Sequence, residues 1–114
     1  MRIALDSNIL VYAFDSTDAP RQALAARIVE RAILSDLILC AQVLGEFLAV
    51  VRRKFPTGFA EAEAGRWAAL SPPVPTGPAH ILAAGAMVQR HKFQFWDAVL
   101  WQVAASHQAA WLIS

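Results

Sequence analysis

The stretch "ALDSNILVYAFD", residues 4–15, sets one carboxylate, Asp6, inside a run that is otherwise apolar. Ile3 to Leu5 is short and wholly hydrophobic, and the apolar run resumes at Ile9, Leu10, Val11 and Tyr12 after two small polar residues. A short apolar run that stops at a polar cluster has the pattern of a central parallel strand and its loop, because such a strand is buried on both faces before the chain leaves the core. Asp6 therefore falls at the carboxyl end of a first strand. Asn8 to Phe14 follows as a short helix or turn.

The rest of the chain repeats that alternation. Thr17 or Asp18 offers an N-cap, Pro20 suits a first helical turn, and Ala23, Leu24, Ile28 and Ala32 carry helical spacing to about Leu34. Leu37 to Cys40 reads as the second strand. From Gln42 to Lys54, Val43, Leu44, Phe47, Leu48, Val50 and Val51 recur at helical intervals, with Arg52, Arg53 and Lys54 closing the segment before Pro56. Phe59 to Leu70 is a further helix. The four prolines of "SPPVPTGP", residues 71–78, leave room for at most a brief edge strand around Val74. Helices over Ala79 to Arg90 and Phe95 to His107 precede a last strand-like run, Ala110 to Ile113. Strands that alternate with helices favour a mainly parallel sheet with helices on both faces, a three-layer α/β/α domain whose sites gather beyond the carboxyl ends of the strands.

Length and composition agree with one domain over residues 1–114. The chain has 114 residues, 57% of them apolar, which is enough for a compact core. With 17% charged residues and a formal net charge of +1, no global positive field marks a nucleic-acid binder, and any basic surface has to be local. Cys40 is the one cysteine, so neither an internal disulfide nor a thiolate metal site is available, which fits a reducing cytoplasm. Asp6 breaks the N-terminal apolar run too early for a secretory signal, and the uncharged stretch Ala98 to Ser114 is too short to span a bilayer. These features predict a soluble protein without a membrane partner.

Two more acids stand in apolar helical surroundings, Glu46 in "AQVLGEFLAVV" and Asp97 in "FQFWDAVLWQVAA". Neither has a cation three or four residues away. Each of the three acids has a structural alternative: Asp6 as a turn cap, Asp97 as a complement to a helix dipole, Glu46 as an exposed helical residue. Their common context points elsewhere, since a buried charge without a partner is expensive and a divalent cation relieves three at once. Asp6 ends a strand, Glu46 lies in the helix after the second strand, and Asp97 lies in the first turn of the helix before the last. Oxygen ligands of this kind suit Mg²⁺ or Mn²⁺, which polarise phosphoryl oxygens and acidify bound water.

The same three blocks resemble those of PIN domains. "LDSNILVYAFD" is similar to the family's opening, "CAQVLGEFLAVVRRK" to its second block, and "FQFWDAVLWQVAA" to its third, in order along nearly the whole chain. The resemblance implies a PIN-like fold and a metal-dependent ribonuclease, most like the VapC-type toxins of type II toxin–antitoxin pairs. It implies that Asp6 and Asp97 hold the ion, that Glu46 binds metal or orients the attacking water, and that Ser7 and Asn8 fix the carboxylates and their loop. It further implies RNA cleavage that leaves a 5′ phosphate, homodimerisation, and silencing by an antitoxin whose tail occupies the active-site groove. One departure stands out: family members usually carry an acidic pair just after the last strand, and no such block follows "WLIS" within these 114 residues.

Two basic clusters, Arg52, Arg53 and Lys54, and Arg90, His91 and Lys92, are candidates for RNA phosphate contact, although cations at helix ends also complement the dipole. Trp67, Trp96, Trp101 and Trp111 are expected chiefly in core packing or in an interface, with base stacking as a second use. His80, His91 and His107 show no ligand spacing. The competing readings are a non-catalytic PIN-like module that dimerises or binds RNA or an antitoxin-like partner, and a phosphotransferase with an aspartate nucleophile. The latter expects a second aspartate two residues after the first, where this chain has Asn8.

Overall fold

The computed structural model describes residues 1–55 and 58–114. The first strand is β1, Ile3–Leu5, and its interior position is visible in its side chains: Ala4 and Leu5 point to opposite faces, and both are buried. Parallel neighbours flank it, β2 (Leu37–Ile38) on one side and β3 (Trp111–Ile113) on the other, in the order β2-β1-β3. Ile3 faces Leu37 and Trp111 in register. Cys40 and Val74 add an isolated parallel bridge, the brief edge pairing expected around Val74. Regular pairing in β2 is shorter than the Leu37 to Cys40 run suggested, though all four residues are buried.

The connections between strands are helical, as parallel pairing requires. They are α1 (Ser7–Phe14) and α2 (Ala19–Ser35) after β1, then α3 (Ala41–Lys54), α4 (Phe59–Leu70), α5 (Pro78–Arg90) and α6 (Phe95–Ser106) between β2 and β3. Asp18 caps α2 by accepting from the Arg21 amide at 3.1 Å, and Pro20 stands in its first turn. Pro56, expected to close α3, lies outside the described residues. Gly58 opens α4 at φ 101°, a region that side-chain-bearing residues rarely adopt.

The main core joins the sheet to α1, α2, α3, α4 and α6. Val43, Phe47 and Val51, spaced four apart on α3, are all buried. The Phe47 ring meets Phe14 of α1 at 5.6 Å and Trp67 of α4 at 4.9 Å, both edge-on, so one side chain ties three helices together. A smaller cluster of Ala84, Ala98 and Val99 joins α5 to α6. At the far edge, Arg2 donates to the His107 carbonyl and accepts from the Ala110 amide, each at 2.8 Å, which docks the turn after α6 and aligns β3. Among the described residues no helix is long and apolar enough to cross a membrane.

Phe47 is fully buried, so Phe47→Ala is expected to lower stability by about 3–5 kcal/mol. Urea unfolding followed by far-UV circular dichroism would register this as a fall in midpoint with the slope unchanged.

Candidate functional site

Asp6 is the first residue past β1 and the N-cap of α1. Its amide donates to the Ile113 carbonyl at 2.8 Å, which prolongs the β1–β3 pairing by one step and fixes the backbone from which the carboxylate springs. One carboxylate oxygen, Oδ1, accepts from the Ser7 amide at 2.6 Å and from the Ser7 hydroxyl at 3.3 Å. Oδ2 accepts from no group among the described residues. Ser7 is buried, as a residue holding a fixed carboxylate should be. Asn8 stands exposed beside it, and its side chain makes no hydrogen bond to the three carboxylates.

Asp97 occupies the first turn of α6. It lines, together with Asp6, a cavity of about 210 Å³ whose other walls include Phe93, Leu100, Trp101 and Ser114. The pairing of β3 with β1 makes this possible, since it sets the carboxyl end of β1 beside the helix that leads into β3. Asp97 is exposed, while Glu46, on α3, is half-buried.

Glu46 reports on the other two. Burial pushes its carboxyl upward and the charge of Asp6 pushes it further, a hydrogen bond from Gln42 lowers it, and the charge of Asp97 adds the smallest rise. Glu46 thus lies within electrostatic reach of the other two, although among the described residues no three acids converge closely enough to surround one ion. None of Asp6, Glu46 and Asp97 is paired with a cation: among the described residues the ion pairs are Arg2 with Asp36, Arg21 with Asp18, Arg52 with Glu61, and Arg66 with Glu63. The site carries concentrated negative charge without a protein counter-charge.

Gln42 was not legible as a site residue. Its amide nitrogen donates to the Trp96 carbonyl at 3.0 Å and, at 3.5 Å, to Glu46, so it braces α3 against the start of α6. Its oxygen is buried without a partner. The available signal was a polar side chain four residues before Glu46, on the same helical face.

The remaining sequence candidates scatter. Arg52 pairs with Glu61 at 3.1 Å across α3 and α4, and Arg53 and Lys54 are exposed. Arg90 and His91 line a second cavity between α5 and α6 that shares Phe93 and Trp101 with the acidic one, and Lys92 is exposed beside them. Trp67 alone of the four tryptophans is in the core, whereas Trp96, Trp101 and Trp111 are exposed, which leaves for those three the interface or stacking part of the expectation. His80 accepts from the Gly77 amide at 2.9 Å and meets the Ser106 hydroxyl at 2.9 Å, a link between α5 and α6. Cys40 is buried, which raises its thiol to about 11 and leaves it inert.

A family model, that of the PIN domain, matches residues 3–114. The chain belongs to the PIN domain family. No curated protein matches it. Among solved structures, VapC20 of Mycobacterium tuberculosis, described as a sarcin–ricin loop cleaving toxin, matches this PIN domain with a TM-score of 0.77 and 20% identity. The match covers 96% of this chain and 86% of that one. At that identity the likeness is one of fold, and it places the same α/β PIN architecture on both chains.

Glu46 holds its proton more tightly in the folded chain than in the unfolded one. Just above the ordinary value of 4.5 the folded state therefore binds more protons, and stability falls as pH rises through the window up to the raised folded value. Glu46→Gln removes that decline. In the absence of metal, the variant should match the wild type near pH 4 and exceed it at pH 7 by less than about 1 kcal/mol, because the carboxyl is partly screened by solvent. Denaturant titrations at the two pH values measure the difference.

Proposed function

We propose that this PIN domain is a Mg²⁺- or Mn²⁺-dependent endoribonuclease, the toxin of a toxin–antitoxin pair. The observation that supports the reading is Asp6 and Asp97 on one cavity, with the carboxyl of Glu46 raised by burial and by their charges, and no ion pair to any of the three among the described residues. The residues fit a hard divalent ion. Mg²⁺ binds through one or two carboxylates and keeps several waters, and Asp6 and Asp97 supply two on one cavity, with Oδ2 of Asp6 unpartnered.

In this reading Asp6 and Asp97 hold the ion, and Ser7 holds Asp6. The ion, when bound, polarises a phosphoryl oxygen and offsets the negative charge that builds up there. Glu46 receives a proton from the attacking water, a task for which a carboxyl of raised basicity is suited. The water oxygen bonds to phosphorus, the 3′ oxygen departs and takes a proton from solvent, and the products are a 5′ phosphate and a 3′ hydroxyl. Gln42 keeps Glu46 and the start of α6 in place. Phosphate contact is proposed for Arg90, His91 and Lys92 before Arg52, which already has an acidic partner; two of the three, Arg90 and His91, line the cavity beside the acidic one. A cytoplasmic location, a homodimer and an antitoxin that covers the acidic cavity belong to the same proposal.

A second reading, a PIN-like module that binds without cutting, draws support from a different observation. Among the described residues no three His, Cys, Asp or Glu side chains converge closely enough to surround one ion. The first reading needs only the carboxylates of Asp6 and Asp97 to hold the ion, with Glu46 serving as the base, and it is preferred for that reason.

Incubation of the chain with single-stranded RNA should give cleavage that requires Mg²⁺ or Mn²⁺ and leaves 5′-phosphate ends. Asp6→Asn should abolish it, and Glu46→Gln should slow it by about 10²–10⁴-fold. Cleavage that persists in Asp6→Asn would overturn the assignment, and silence of the wild type would favour the binding module. A second readout is independent of turnover. Mn²⁺ at ten times its Kd should add about 1.4 kcal/mol of stability, seen as a rise in Tm that Asp6→Asn and Asp97→Asn lose.

A further inference from the structure

The cavity between α5 and α6 measures about 500 Å³, more than twice the acidic cavity with which it shares Phe93 and Trp101. Resting on the ribonuclease reading, we propose that it receives one unpaired nucleobase of the RNA, adjacent to the phosphate over Asp6 and Asp97 and stacked on Trp101.

Three observations carry the assignment, beginning with the grading of chemistry along the two cavities. Asp6 and Asp97 line the smaller cavity, Phe93 and Trp101 line both, and Arg90 with His91 line only the larger one. A nucleic-acid strand presents the matching series, a phosphate for an ion held by the acids, a flat base for the aromatics and a further phosphate for the cations. The second observation is the availability of the rings. Trp101 is 44% exposed and Phe93 41% exposed, although α6 buries Leu100 and Val103 in the core on its other side. Ala83 and Ala86 on α5 line the same cavity, and their short side chains leave its floor open. His91 meets Phe93 edge-on at 6.5 Å, which adds a further ring to the wall.

The third observation is charge. No carboxylate lines the larger cavity, while Arg90 and His91 do. A symmetric contact with a second copy would set this patch against itself and bring Arg90 into a surface that offers it no anion. RNA offers one at every residue. The groove therefore suits a single-stranded or looped segment whose bases are free to turn outward, and it disfavours a paired duplex in which they are stacked away.

The test measures binding without cleavage. A fluorescein-labelled eight-residue oligouridine and an abasic oligomer of the same length are titrated with the full chain in EDTA, and anisotropy is followed. The wild type should bind the base-bearing oligomer about 10-fold more tightly than the abasic one. Trp101→Ala should remove that preference and leave abasic binding unchanged, Trp101→Phe should retain most of it, and Arg90→Gln should weaken both oligomers alike. Equal affinity of the wild type for the two oligomers, or an undiminished preference in Trp101→Ala, overturns the base site. So does a dimer that Trp101→Ala converts to monomer, which would assign the groove to a second copy. Each of these results leaves the metal-dependent cleavage assay to decide the ribonuclease reading on its own. Absence of binding to either oligomer overturns the base site as well, and cleavage in the separate assay would still uphold the nuclease.

Discussion

Burial of β1 on both faces is the constraint from which the site follows. A three-residue strand between two parallel neighbours cannot accommodate a charge in its interior, so the first carboxylate stands where the pairing ends. Asp6 still donates its amide to β3 and at the same time caps α1. The backbone that presents the carboxylate is thus held from the sheet side and from the helix side. Helices α2 and α6 join α1, α3 and α4 in the core over the sheet, and the Phe47 contacts to Phe14 and Trp67 tie α3 to its neighbours at the depth that brings Glu46 within the field of Asp6.

Burial raises the carboxyl of Glu46 and the charges of Asp6 and Asp97 add to the rise, so holding Glu46 ionised in the folded chain works against folding. Apolar packing elsewhere offsets it, which is the usual distribution of strain between a site and its scaffold. In the proposed reading a bound divalent cation would offset this negative charge. The buried, unpartnered oxygen of Gln42, a residue that bridges α3 to α6, belongs to the same unresolved polarity.

The α5–α6 pair gives the domain its second character. It is joined by a small alanine and valine cluster rather than by large core side chains, and it leaves Phe93 and Trp101 open between the acids and Arg90. The near-neutral net charge of the chain conceals this separation. Acids line one cavity and cations the one that shares Phe93 and Trp101 with it, so what a ligand meets is local charge and not an average.

Local pattern was sufficient for much of this. The apolar run before Asp6, the helical spacing of Val43, Phe47 and Val51, the cap at Asp18 and the prolines around Val74 each act within a few residues, so the elements and the α/β order were legible in the sequence. The chemical character of Asp6, Glu46 and Asp97 was legible too, because an acid without a cation in an apolar segment is conspicuous on a one-dimensional string. What the string does not contain is distance between segments. That Gln42 joins Glu46 to the start of α6, that Arg52 is taken by Glu61, and that Trp101 faces a cavity while Trp67 fills the core all depend on which helix faces which. Those choices are made by the packing of six helices on a three-stranded sheet, where side chains far apart in sequence compete for the same space, and only the tertiary structure decided them.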